Sequence, residues 1–411
     1  MNDQIPLIIG KSFRGDFSIN MKPHTWVVGQ SGVGKSTLLV NAFVGLIQRG
    51  YGGLFLDPHG TAAGQIVKFI PRHRMNDVIW IDATADRVPG IIPQYRSASE
   101  EQLYVQMFVT LLKSLHRDRW GDETERVIMG ALMAVTEHYG FMNVPAVYLF
   151  IARDRFRKQI LGQCKNPLLL DFAEQYDEKL RASEQMAKFS PPLNKIDEFV
   201  LPTVRCLMAN EKAIDFARAM DDRRIILVDL SKGKLGAEVS SLIGSIILSN
   251  VAIQAMRRRK GAPQFFAFVD ECQNFLHGVD FETILSELRK FNVTLVLGSQ
   301  YLTNFPSLTA LFGNAPNGVV YRVSGKDAQE IEENYREEGR ANQIVNLNNY
   351  QFVAHYVRNG LPLSSGVIDA RAKVKKLGGE PPARAVIAES LRRWGAPKSD
   401  IDRKMLEFLG S

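Results

Sequence analysis

Cysteine is scarce in this chain: Cys164, Cys206 and Cys272 are its three cysteines among 411 residues, and they stand far apart. No pair has metal-ligand spacing, and three cannot build a disulfide framework. With no signal-peptide pattern at the start, the expectation is a reducing compartment, the cytoplasm. Long apolar runs are also missing, whereas a membrane span needs about 20 such residues. Ser240–Met256 comes nearest, but Ser, Asn and Gln interrupt it and Arg257-Arg258-Arg259-Lys260 follow. It reads as a buried helix ending in a basic turn. No repeat period and no low-complexity segment stands out. Neither charge sign dominates: 51 Lys+Arg against 44 Asp+Glu leave +7, a mild excess compatible with an anionic partner such as nucleic acid. At 45% hydrophobic and 23% charged, the composition excludes a mainly disordered or collagen-like chain.

What is present is a series of short apolar runs, most followed by helical patterns: Thr25–Val28, Gly53–Leu56, Val78–Ile81, Ile225–Val228, Phe265–Val269, Leu295–Leu297 and Val319–Val323. Such runs alternating with helices predict an α/β fold whose sheet is mostly parallel and covered on both faces. Between about Ser99 and Asp222 the pattern changes. Apolar residues recur at helical spacing, as in Leu103-Met107-Leu111-Leu115, and Pro145, Pro167, Pro191-Pro192 and Pro202 punctuate the stretch. The expected organisation is a first part of the core over residues 1–98, an all-helical insertion over 99–222, a second part of the core over 223–370, and a linker with a small helical tail over 371–411. Candidate strands at Phe352–Val357 and Ser364–Ile368 close the core. The tail helices are expected at Arg384–Trp394 and Ser399–Leu409, the latter capped by Ser399.

The segment Gly29-Gln30-Ser31-Gly32-Val33-Gly34-Lys35-Ser36 fits the phosphate-loop pattern G-x-x-x-x-G-K-[ST] in full. It follows a strand and opens a helix, the context the motif requires. Its glycines let successive N–H groups point at phosphate oxygens, and the helix N-terminus adds partial positive charge. Lys35 can reach the β- and γ-phosphates of ATP, Ser36 can ligate Mg²⁺, and Thr37 is placed near the α-phosphate. The strand Phe265–Val269 ends in Asp270-Glu271. Asp270 is the candidate for the Mg²⁺ shell, and Glu271 for orienting or deprotonating the attacking water. Ile225–Val228 also ends in an acid, Asp229, but no second acid follows, so it is read as a strand-end residue. Gln300, after the strand Leu295–Leu297, lies near the γ-phosphate if that strand neighbours the Asp270 strand. Asp57 and His59 in Leu56-Asp57-Pro58-His59-Gly60 face either the nucleotide, a neighbouring subunit or nothing but their own turn. Arg322 emerges at the same sheet edge, where an arginine can stabilise charge during phosphoryl transfer in its own subunit or a neighbour's.

Taken in order, these pieces resemble the HerA/FtsK superfamily, in its type IV secretion coupling-protein (TraG/TraD-like) and HerA-like branch. The resemblance rests on Val28–Thr37, Leu56–Gly60, Asp77–Asp82, Val228–Gly236, Asp270-Glu271-Cys272-Gln273-Asn274-Phe275, Leu285–Lys290, Ser299–Leu302, Tyr321–Val323 and Leu347-Asn348-Asn349-Tyr350-Gln351. It spans roughly Thr25 to Ile368. It implies a RecA-like P-loop core with a helical insertion, assembled as a hexameric ring that moves DNA at the expense of ATP, with Arg322 completing a site between subunits. Coupling proteins usually carry an N-terminal membrane anchor and HerA an N-terminal β-barrel. Neither is seen before Thr25, so the expectation is a minimal motor.

A motor on DNA needs phosphate contacts more than base readout. Candidates are Lys232, Lys234, Arg257–Lys260, Arg289-Lys290 and the run from Arg371 to Lys376. No aromatic residues interleave with them, which favours backbone tracking on duplex DNA over single-strand stacking. The second reading is an ATP-switched ring that recruits a nuclease or secretion partner without processive movement. A phosphotransferase is a third, opposed by the Asp270-Glu271 pair and the long insertion.

Overall fold

A computed structural model describes residues 4–92, 97–116, 119–276, 280–370, 374 and 376–410. Its strands are β1 (Pro6–Ser12), β2 (Gly15–Asn20), β3 (Thr25–Val28), β4 (Gly52–Asp57), β5 (Val78–Asp82), β6 (Arg87–Val88), β7 (Ile225–Asp229), β8 (Phe265–Val269), β9 (Val293–Ser299), β10 (Asn317–Val320), β11 (Gln351–Arg358), β12 (Leu361–Ser364), β13 (Ile368–Ala370) and β14 (Ala396–Pro397). Twelve of them form one sheet in the order β2-β1-β13-β11-β10-β3-β9-β8-β4-β7-β5, with β12 paired to β11. From β10 to β5 every pairing is parallel. The remaining strands add an antiparallel wing beyond β10.

The central strands are wholly buried because they carry apolar side chains on both faces. Alternate residues feed two cores: Trp26, Val28, Leu54 and Leu56 on one side, Val27, Phe55, Phe266 and Phe268 on the other. On the second face the helix Lys35–Gln48 inserts Phe43 edge-on between Phe55 and Phe268, at ring-centroid distances of 5.4 and 5.2 Å. The first face is covered by the helix Ala237–Ala255 and by a run of helices from Ala98–Leu115 to Phe216–Asp221. Within that run the described residues contain no strand, only an isolated bridge of Ala213 to Gly90. Its apolar residues join those of the sheet in one continuous core.

Of the prolines in the helical stretch, Pro145, Pro167 and Pro202 sit at the first turn of a helix, where a missing N–H costs nothing. Pro191 and Pro192 lie inside Ala182–Ile196 instead of ending it. Phe189 and Ile196, buried on either side, hold that helix through the two lost donors. Ala237–Ala255 is long and apolar enough to cross a membrane by length and composition, and 78% of it is buried inside the protein.

Four features depart from the sequence expectation. The hairpin β1–β2 extends the sheet, whereas the expected strands begin at Thr25. The strand expected at Val319–Val323 runs Asn317–Val320, because Asn317 is buried and its amide donates to the Asn20 carbonyl at 2.8 Å. The stretch Ser364–Ile368 is not one strand: Ser364 ends β12, Ile368 opens β13, and residues 365–367 break between them, with Ser365 turning inward to accept from the Ala354 N–H. The tail helices are Ala383–Trp394 and Lys398–Gly410, so Ser399 lies within the first turn and is not its cap. Between them β14 pairs with β6, and Ser390 Oγ accepts from the Trp80 N–H beside the edge strand β5.

Candidate nucleotide site

The sheet order decides which strand ends can meet. β3, which feeds the phosphate loop, lies between β10 and β9, and β9 in turn pairs with β8. The C-terminal ends of β3, β9, β8 and β10 therefore gather the loop at residues 29–36, Gln300, Asp270-Glu271 and Arg322 along one edge. The condition attached to Gln300, that its strand adjoin the Asp270 strand, holds.

The loop is fixed by its neighbours. The Gly29 N–H donates to Ser299 O (3.3 Å), the Gln30 N–H to Arg322 O (2.9 Å), and Val33 O accepts from the Tyr350 N–H (2.8 Å). Two of its glycines are dictated by space. A Cβ on Gly29 would lie 2.5 Å from Tyr321 Cβ, and one on Gly34 would lie 2.8 Å from Tyr350 Cδ1. Gly34 also has φ +114°, a conformation closed to most L-residues. Lys35 is buried, and its Nζ donates to the Gly29 and Gln30 carbonyls at 2.6 and 3.0 Å. Burial pushes its ammonium below the ordinary lysine value, and Glu271 and Asp270 pull it back. Ser31, Ser36 and Gln30 are exposed, Gly32 is exposed, Val33 is buried and Thr37 half-buried on the opening turn of Lys35–Gln48.

Asp270 is buried, its Oδ1 accepts from the Glu271 N–H at 3.0 Å, and the Ser36 side chain lies close enough to its carboxyl to favour the ionised form. Desolvation raises its pKa above the usual carboxylate value, the Ser36 side chain opposes this, and the negative charges of Glu271 and Asp57 add to the rise. Glu271 follows with φ 48°, a left-handed turn that swings its side chain out of the strand direction. Its two carboxylate oxygens are each held by an amide: Oε1 accepts from Gln300 Nε2 at 3.1 Å and Oε2 from Gln273 Nε2 at 2.7 Å. Gln273 Oε1 in turn accepts from Ser299 Oγ at 3.2 Å. Sequence reasoning placed Gln273 and Ser299 within longer motifs and gave neither a role. The signal was their amide and hydroxyl chemistry close to strand ends of known importance.

Arg322 is tied to its own chain. Its Nε donates to Gln30 Oε1 (3.2 Å), Nη1 to Leu347 O (3.1 Å) and Nη2 to Asn349 Oδ1 (2.9 Å). It thereby straps the 347–349 segment to the phosphate loop.

The other acids of this rim have different partners. Asp57 is buried and accepts from the His59 and Ala63 N–H groups, both at 2.9 Å, so it shapes the turn into the helix Thr61–Ile66. Burial raises its pKa against those bonds. His59 is exposed. Asp229 accepts from Lys234 Nζ at 2.8 Å, and Lys234 also reaches Asp82 at 3.5 Å. Lys232 Nζ donates to Asn274 Oδ1.

Among the basic runs, Arg258 is buried and bonds Asp221 and the carbonyls of Phe291, Asn292 and Pro263, which corrects its reading as a phosphate contact. Arg257 pairs with Glu100. Arg259, Lys260, Arg289 and Lys290 are exposed, at the edge where β8 and β9 begin, opposite the phosphate loop. Most of the run from Arg371 to Lys376 lies outside the described residues.

The donor set suits Mg²⁺: the Ser36 hydroxyl and the Asp270 carboxylate are near neighbours, beside a phosphate loop that can bring the remaining oxygens.

No family model matches the chain, and no curated protein matches it in sequence. Solved structures do. The plasmid coupling protein TrwB in complex with a non-hydrolysable ATP analogue superposes with a TM-score of 0.65 at 14% identity, covering 88% of each chain. TrwB with ADP and Mg²⁺ gives 0.65 at 15% identity over 88% of each chain. VirB4 of Thermoanaerobacter pseudethanolicus gives 0.63 at 16% identity, over 90% of this chain and 98% of that one. The chain thus has the RecA-like P-loop fold of TrwB and VirB4, the fold that its resemblance to the HerA/FtsK superfamily implied.

Proposed function

We propose that the protein is an ATPase that hydrolyses ATP with Mg²⁺ and couples this to the movement of DNA, as one subunit of a hexameric ring. The observation that carries this reading is the junction at one sheet edge of Lys35, the Ser36–Asp270 pair and a Glu271 carboxylate gripped by Gln300 and Gln273. Bound Mg²⁺ would supply charge neutralisation for the β- and γ-phosphates, held by Ser36 and Asp270. Gly29–Ser36 cradle the phosphates with their N–H groups, and Lys35 exchanges its loop carbonyls for phosphate oxygens. Thr37 lies beside the α-phosphate. Glu271 accepts a proton from the attacking water. Gln300, on the same carboxylate, transmits the state of the site to the segment after β9. Arg322 stabilises charge beside Gln30 in its own chain, and a ring would bring a neighbour to the same edge.

TrwB is a conjugative coupling protein, and its complexes with an ATP analogue, with a GTP analogue and with ADP and Mg²⁺ support a nucleotide and Mg²⁺ at this site. Duplex DNA is the proposed track, with Arg259, Lys260, Arg289 and Lys290 as the exposed cations that would meet its phosphates. The organisation at residues 1–98, 99–222, 223–370 and 371–411 is proposed as core, insertion, core and tail.

The test is ATP hydrolysis by the purified protein with and without duplex and single-stranded DNA. Stimulation by duplex DNA, abolished in Glu271→Gln, is the expected result. Replacing Arg259, Lys260 and Arg289 with Ala should weaken DNA binding and flatten its logarithmic salt dependence by about 0.9 for each phosphate no longer neutralised. Hydrolysis indifferent to any DNA would instead favour a switched platform that recruits a nuclease or secretion partner.

A further inference from the structure

Tyr350 is an exposed aromatic residue held where exposure and backbone both work against it. It lies in the 347–351 segment, which the phosphate chemistry leaves without a role. Its φ is +64°, a left-handed conformation uncommon for a bulky side chain. Two backbone hydrogen bonds impose it: the Tyr350 N–H donates to Val33 O at 2.8 Å, and Tyr350 O accepts from the Ala370 N–H at 2.7 Å. One bond anchors the residue to the phosphate loop, the other to β13. The ring lies against Gly34, since a Cβ there would stand 2.8 Å from Cδ1 and 3.4 Å from Cε1. Tyr321 supports the same glycine from beneath, with Cε1 3.6 Å from that Cβ position, and is fully buried. Tyr350 itself is 55% exposed. The Arg322 strap to Leu347 O and Asn349 Oδ1 fixes the segment on its other side.

Exposure of a single ring is ordinary, but here a strained backbone fixes that ring beside the residue that opens the nucleotide helix. We propose that Tyr350 is the stacking wall for the base of the bound nucleotide, its Cδ1–Cε1 edge against the Gly34 turn and a face offered to a purine. This rests on the reading of residues 29–37 as a nucleotide site and adds the half of the ligand that the phosphate loop does not grip. Every base has a π-face, so stacking of this kind tolerates base identity. Tyr350 therefore sets affinity for the nucleoside part, with adenine and guanine affected alike.

The experiment compares two ligands by titration calorimetry on the full chain: ATP, and ribose 5′-triphosphate, which has the same phosphates and sugar but no base. Tyr350→Gly removes the ring while suiting the positive φ; Tyr350→Phe keeps the ring and removes the hydroxyl. Base–aromatic stacking predicts that Tyr350→Gly weakens ATP about 5- to 100-fold, leaves ribose 5′-triphosphate within about twofold, and that Tyr350→Phe stays close to wild type. GTP should lose a similar factor. Equal loss for both ligands would overturn the inference and make Tyr350 a brace for the loop. An unchanged ATP affinity in Tyr350→Gly, or a loss in Tyr350→Phe as large as in Tyr350→Gly, would overturn it as well. Wild-type protein that binds neither ligand would overturn the nucleotide-site reading, and this inference with it. Normal binding of ribose 5′-triphosphate by Tyr350→Gly also certifies that the variant is folded.

Discussion

The same sheet rim carries two kinds of acid-ended strand. β8 ends in Asp270-Glu271, and β4 and β7 end in Asp57 and Asp229. All three are apolar runs closed by an aspartate, and all three aspartates are at least nine-tenths buried. Their partners divide them. Asp270 accepts from the Glu271 N–H and has the Ser36 side chain of the phosphate loop as a near neighbour, and the acid beside it is held by two amides. Asp57 is consumed by two backbone N–H groups of its own turn, and Asp229 by the Ser231 N–H and an ammonium. The apolar run and its closing aspartate do not distinguish them; the second acid, Glu271, and the distance from the phosphate-loop strand do. One strand, β9, separates β8 from β3, whereas β4 and β7 lie farther out. An acid near the loop can keep its charge for a ligand. An acid beyond reach of the loop must be neutralised by the protein or it destabilises the fold.

The contrast between these acids is tested most severely at Glu271. Glu271→Gln should lower ATP turnover by about 10²- to 10⁴-fold while ATP binding stays within a few-fold, read by steady-state hydrolysis and calorimetry. Turnover near wild type would remove the distinction between the two kinds of strand end.

At Asp270 the expected effects run in opposite directions. Its folded-state pKa is raised by burial. A carboxyl so placed costs no stability below its unfolded value near 3.8, and an increasing amount as pH rises through the folded value. Asp270→Asn should therefore raise the melting temperature of the nucleotide-free protein at pH 7, with the gain vanishing in acid, while Mg²⁺-dependent hydrolysis falls at least about 10²-fold. A lower melting temperature at pH 7 would contradict the sign.

Asp57→Ala should cost about 1–2 kcal/mol in urea unfolding, because the Ala63 N–H is buried and loses its acceptor, with turnover per folded molecule little changed. The smallest effect is expected at Asp229→Asn. Lys234 is about half exposed, so the pair contributes about 0–1 kcal/mol, and hydrolysis should stay within about threefold. A large loss of hydrolysis there would move the catalytic carboxylate to β7.

Much of this was legible in the sequence for a physical reason. A buried parallel strand needs apolar residues on both faces, so β3, β4, β5, β7, β8 and β9 stand out as runs. The phosphate loop and Asp270-Glu271 are local motifs. The hairpin β1–β2 hid because it alternates inward and outward residues over a short length, and β10 because a buried Asn opens it. The site's second layer was hidden more deeply. That Gln273 and Gln300 share one carboxylate follows only from the pairing of β8 with β9, and that Arg322 straps Gln30 to Asn349 only from the pairing of β10 with β3. Strand order is a property of the assembled chain, and no local pattern encodes it.

The position of β3 also has a consequence in time. Both of its sheet partners arrive late: β9 bonds back to the start of this segment, at His24, across a separation of 271 positions, and β10 to Thr25 across 292. At a ribosomal rate of roughly 5–20 residues per second, the strand that feeds the phosphate loop emerges about 15–60 s before it can be paired on either side. During that interval its backbone donors and acceptors are open, and neither Ser299 nor Arg322 is present to receive the loop's N–H groups. A nascent chain therefore carries the complete Gly29–Ser36 motif well before it has a loop of fixed shape, and strands made hundreds of positions later decide when that motif can work.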